Sequence, residues 1–282
     1  MLSRMPAAVS TADPAAVERA VQSAYLELYP KADPGFVSRV FGWALECFAG
    51  GCPGYQAVDT RYHDVEHTLQ GTLCMARLLR GRHLARAQPV LSHHVFQLGI
   101  VAILFHDSGY LKHENDHEGS GAKYTLIHVD RSADFAAELL GRKGYPKADI
   151  AAIQSMIRCT GVNASICRIP FPGLEERIAG CALATADYLG QMAAPDYIEK
   201  LPVLYNEFAE AARFSGETRL IAGFADAADL IRKTPAFWEK FVKPRLESEF
   251  MGLYKFLNDP YPDGPNEYLE AIEANLNKIT GR

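Results

Sequence analysis

No stretch of this 282-residue chain holds about 18 uninterrupted apolar residues, so the sequence offers no candidate for a membrane-spanning helix. It also lacks an excess of positive charge. Lys and Arg number 29 against 34 Asp and Glu, a formal net charge of −5. Such a chain has no basic field to attract nucleic acid or an anionic membrane, and a phosphate ligand would need local cations. No Cys-x-x-Cys pair occurs: Cys47, Cys52, Cys74, Cys159, Cys167 and Cys181 lie scattered. That spacing argues against a thiolate zinc site and reads as reduced, mostly buried thiols in a cytoplasmic protein. Residues Met1–Thr11 have one Arg and no apolar core, unlike a secretory signal, so residues 1–12 are expected to be a flexible leader. Sustained strand alternation and internal repeats are missing too, which leaves an all-α chain.

The helices announce themselves by caps and apolar periodicity. Asp13-Pro14 and Asp33-Pro34 each pair a capping carboxylate with a proline suited to a first turn. A pattern through Leu69, Leu73, Leu78 and Leu79 would put His63 and His67 four apart on one helical face, with Cβ atoms roughly 6 Å apart. Ser92 caps a helix whose apolar run ends in His106-Asp107-Ser108-Gly109. Further helices are expected over 122–140, with His128 inside it, and over 147–158 and 174–192, the last carrying Asp187 and Gln191. Beyond these lie helices at 195–214, 217–232, 235–257 and 266–279. One all-α domain over 13–282 follows, with a core at about 60–192 and a helical extension at 195–282.

The chemistry lies in a few polar residues on apolar elements. His106 and Asp107 end a run too hydrophobic for a surface loop, and a buried imidazole beside a carboxylate needs compensation. Asp187 sits among Ala184, Thr185, Ala186 and Leu189 and needs a partner as well. Neutral His nitrogens and Asp oxygens are ligands for hard or borderline divalent ions. A cation held by His67, His106 and Asp107 would answer both needs. Gln191, one turn after Asp187, faces the same way. His117 lies in a charged, His-rich stretch before His128, and both are candidates for touching phosphate or completing a second metal site. Lys112, Lys123, Arg131 and Arg158 are the nearby cations.

Tyr62-His63-Asp64-x-x-His67, then His106-Asp107, then Asp187, resembles the HD-domain superfamily of metal-dependent phosphohydrolases, and most closely its cyclic nucleotide phosphodiesterase-like branch. The resemblance implies a helical bundle with added C-terminal helices. It implies that His67, His106, Asp107 and Asp187 bind a first metal and that Asp107 bridges to a second. The ions would be Mn, Mg, Fe or Zn. It implies that His63 is a general acid protonating the leaving alkoxide, with His63 and Asp107 as the catalytic pair. The chain departs from the branch at Asp64, where asparagine is usual, and at Tyr110, where a histidine is usual. The activity so implied is hydrolysis of a nucleotide-like or other small phosphate ester, diesters favoured. Nucleotide phosphatase or triphosphohydrolase activity, oxygenase chemistry at a di-iron centre, and a non-catalytic metal or ligand sensor are the alternatives. A homodimer is compatible with the aromatic-rich C-terminal third.

Overall fold

The computed structural model describes residues 9–218 and 221–281. They are helical, with no β-strand among them; an isolated antiparallel bridge joins Tyr55 and His113. Helix α1 (Pro14–Leu28) begins as Asp13-Pro14 predicts, the carboxylate accepting from the Ala15 N–H. In α2 (Phe36–Phe48) the cap position belongs to Gly35, because Asp33 instead turns back onto the Gly35 N–H and Arg39. The leader expected over residues 1–12 lies mostly outside the described residues; within it, Thr11 donates to Glu66.

Helices α3 (Val65–Leu84) and α4 (His93–Phe105) follow, then α5 (His128–Arg142), α6 (Lys147–Ile157) and α7 (Leu174–Met192). Ser92 caps α4 through the Val95 N–H, and α7 has the bounds expected of it. The helix expected from Ala122 starts only at His128, since Gly121–Tyr124 close a separate 3₁₀ turn. α4 is apolar around its whole circumference because α2, α3, α6 and α7 surround it. The continuous apolar core runs from Val17 in α1 to residues near the C-terminus such as Ile272.

The C-terminal part comprises α8 (Tyr197–Ser215), α9 (Ala227–Phe237), α10 (Lys243–Glu247) and α11 (Glu267–Thr280). The helix expected at 217–232 begins late, where Asp226 caps α9 through the Asp229 N–H; residues 219–220 lie outside the described residues. The helix expected at 235–257 is broken up. α9 runs through Pro235 into a π-type turn (Trp238–Val242), then α10, and a 3₁₀ turn closes the segment at Leu257. The cysteines are free thiols, all buried but Cys167. Among the described residues no helix is long and apolar enough to cross a membrane.

Candidate metal centre

Three elements deliver the candidate ligands. Asp64 caps α3 by accepting the His67 N–H at 2.9 Å, which fixes His67 in the first turn. His63 therefore precedes the helix instead of sharing its face with His67; the rings still lie 5.4 Å apart, nearly perpendicular. His106 stands at the C-cap of α4, its Nδ1 2.7 Å from the Ile103 carbonyl. That carbonyl accepts from the Nδ1–H and leaves Nε2 facing inward. Asp107 follows, and Gly109 lets α5 come close: a Cβ there would lie 2.0 Å from the His128 carbonyl oxygen. Asp187 comes from the middle of α7.

The groups converge. His67 Nε2 is 3.1 Å from Asp107 Oδ2 and 3.4 Å from Asp187 Oδ1. His106 Nε2 is 3.3 Å from Asp107 Oδ2 and 3.6 Å from Asp187 Oδ1. Donors bound at about 2.1 Å to one ion stand about 3.0 Å apart in an octahedron and about 3.4 Å apart in a tetrahedron. The observed separations match such edges. His106 Nε2 and Asp107 Oδ2 are fully buried, yet neither meets a hydrogen-bond partner. A buried polar atom without a partner is destabilising, and a cation would satisfy both at once. His67, His106 and Asp107 thus form a buried group able to hold a metal ion, with Asp187 beside it.

The electrostatics have the same cause. Burial alone would push the His67 imidazole down, but Asp107 and Asp187 lift it to about 10. His106 is raised by the same two carboxylates against its own burial. Burial pushes Asp107 and Asp187 up, and the facing imidazoles more than reverse this, holding both below the usual carboxylate range.

His128 joins the edge of the cluster: its Nδ1 lies 2.6 Å from the Thr125 carbonyl and its Nε2 3.7 Å from Asp107 Oδ1. Tyr110, standing where the resembled branch has histidine, is stacked between His63 and His128. Gln191 faces the site, accepting from the Tyr62 hydroxyl at 2.7 Å and donating toward the Asp187 carboxylate at 3.4 Å. His117 is exposed on its loop, and no contact ties it to the cluster among the described residues. Lys123 is engaged by the Asp116 carboxylate and the Glu118 carbonyl, which removes it from the centre. Lys112 pairs with Asp59, Arg131 donates to the Gly109 and Leu111 carbonyls, and Arg158 pairs with Asp130.

Glu207, on α8, is the functional candidate that the sequence reading missed. Its Oε1 accepts the N–H groups of Arg61 and Tyr62 at 2.8 and 2.7 Å, and its Oε2 lies 2.6 Å from His63 Nδ1. Burial raises this carboxyl, but His63 and the two N–H groups outweigh it and leave it below the ordinary glutamate range. The local signal was faint: one acid among Leu204, Tyr205 and Phe208.

Fold and cluster together define an all-helical protein with a buried His/Asp centre able to take a metal ion. The chain belongs to the Npun_R2479-like family, whose model matches residues 15–120 and 114–256 and so takes in every residue of the centre. No curated protein and no solved structure matched the chain.

Proposed function

We propose that the protein is a metal-dependent phosphohydrolase acting on a small phosphate ester, diesters favoured, and a member of the HD-domain superfamily. The observation that carries this reading is the pair of buried, unpartnered ligand atoms, His106 Nε2 and Asp107 Oδ2, facing His67 and Asp187. These four residues would hold the first divalent ion; Asp107 Oδ1 and His128 Nε2 offer donors toward a second. Bound there, Mn, Mg, Fe or Zn supplies an acidified water and charge for the phosphoryl oxygens.

The protein's own part is to deliver a proton. His63 gives it to the departing alkoxide, and Glu207 fixes the ring by accepting from Nδ1, leaving Nε2 for the leaving group. Gln191 and Tyr62 border the same space. Free thiols, five of the six buried, suit a reducing compartment such as the cytoplasm.

The test starts with elemental analysis of protein purified without added metal, then a phosphoester panel with Mn²⁺, Mg²⁺ and Fe²⁺. His63→Ala is expected to slow an alkyl diester about 10²–10⁴-fold and a nitrophenyl diester far less, since nitrophenolate leaves unaided. Equal losses would remove the acid role, and a panel without metal-dependent turnover would sink the reading. A monoester product marks a diesterase; phosphate or triphosphate marks the alternative hydrolases.

A second reading has an observation behind it. The cavity that reaches His67, bordered by Tyr62, Gln70 and Gln191, has a volume of about 10 Å³, room for about one water. So little free space beside His67 suits a structural or sensing ion, whereas catalytic sites keep a position open. Chelation that lowers Tm in a protein without turnover would favour it.

A further inference from the structure

A second cavity lies at the opposite end of α3 from His67. Fifteen residues separate His67 from Arg82, about 22 Å at about 1.5 Å per residue along the helix. The cavity has a volume of about 220 Å³, below the range of roughly 300–1,000 Å³ usual for drug-sized ligands, so its occupant is small. Its walls are apolar where Tyr29, Leu91 and Phe96 form them, and cationic where Arg82 and Arg86 do, with His83 between those two.

Arg82 is the unexplained group. It is only 3% exposed, and its guanidinium makes no ion pair and no hydrogen bond among the described residues. The carboxylate that most offsets its charge, Glu175, stands beyond ion-pair distance and already accepts the Ser92 N–H at 2.9 Å. Arginine cannot shed its proton, so a positive charge without a direct partner stays in the wall, offset only at a distance by Glu175. Next to it His83 Nδ1 is buried without a partner, although the ring itself packs edge-on against Tyr29. On the rim, Arg86 is the left-handed residue, φ 54°, that ends α3, with the Ala87 N–H closing the turn on the Arg82 carbonyl.

We propose that this cavity is a second ligand site, for a small organic anion with an oxyanion head and an apolar body. The planar guanidinium fork of Arg82 pairs with two oxygens of a carboxylate, phosphate or phosphonate head. His83 lines the cavity beside that head, and the body lies against Tyr29, Leu91 and Phe96. The site is independent of the metal centre and of the hydrolytic reading, since it shares no residue with either.

The experiment titrates the full-length, metal-loaded protein by calorimetry with benzoate and phenylphosphonate. Inorganic phosphate supplies the head alone and benzyl alcohol the body alone. The expected result is saturable one-to-one binding of benzoate or phenylphosphonate, at least tenfold tighter than of phosphate or benzyl alcohol. The tighter of the two names the head group. Arg82→Met is expected to weaken that binding at least tenfold while leaving the Tm of the ligand-free protein unchanged or higher, because it deletes an unpaired buried charge. A purely structural Arg82 would give the reverse, a lower Tm. Val90 lines the mouth and is 52% exposed, so Val90→Trp fills the entrance without touching the core and is expected to abolish binding even if R82M does not fold. Failure of both probes to saturate, or affinity within twofold of wild type in V90W, overturns the site; binding at the metal centre would survive both substitutions and overturns it as well.

Discussion

Glu207 cannot turn away from His63, because two backbone N–H groups hold its other oxygen. Glu207→Gln keeps an acceptor for those amides but loses the charge beside the imidazole. The expected loss of stability is about 1.5–3 kcal/mol near neutral pH, the range for a hydrogen bond to a charged group. The pH dependence has a definite sign. This carboxyl is held below its ordinary value of 4.5, so its contribution is complete above that value and is lost as pH falls through the lower folded value. Tm followed from neutral to acid pH should fall less in E207Q than in wild type; parallel curves would refute the assignment. Nothing near residue 207 could have predicted the pairing, because its partner lies 144 residues away. His67, His106, Asp107 and Asp187 were legible for the opposite reason. His106, Asp107 and Asp187 are polar residues on apolar stretches, a contradiction visible locally that only a shared partner resolves, whereas His67 stood out by its spacing from His63 and by the resemblance. His117 and Lys123 were over-read: charge and histidine content cannot tell a surface loop from a site when a neighbour such as Asp116 takes up the cation.

At the scale of elements, the distance between His67 and Asp187 depends on how closely α3 and α7 approach. Gly190, one turn beyond Asp187, has its backbone against α3: a Cβ there would lie 2.8 Å from Gln70 C and O and from Gly71 N. These are backbone atoms, so the helices themselves must separate. Gly190→Ala is expected to destabilise by about 1–3 kcal/mol and to lower the metal content of the purified protein, as donor separations widen beyond the 3.4 Å seen for His67 and Asp187. Gly42→Ala is the control. It sits mid-α2 with nothing within 4 Å of its Cβ, and should stabilise by up to about 1 kcal/mol. Thermal denaturation and elemental analysis of the two variants check both outcomes. Elements with strong local punctuation were legible: α1 from Asp13-Pro14 and α4 from Ser92. Those shaped by tertiary packing were not. Asp64 became a cap and put His63 outside the helix, and a 3₁₀ turn displaced the start of α5.

For the whole molecule, the C-terminal helix closes the helix that carries Asp187. The last carbonyls of a helix lack internal partners, and at the end of α7 those of Met192 and Ala194 both accept from the side-chain amide of Asn275, at 3.0 and 2.9 Å. Asn275→Ala would leave them buried and unsatisfied, at about 1–3 kcal/mol each at most. A fall in Tm together with faster amide exchange near residue 192 is the expected outcome, and exchange unchanged there would refute the capping role. The arrangement also bears on biogenesis. Translation delivers His67, His106, Asp107 and Asp187 to the growing polypeptide long before it delivers Asn275, and segments made first tend to fold first. Until residue 275 is made, the exit of α7 lacks this cap, so the helix that carries Asp187 is completed only after all four of those side chains have been synthesised.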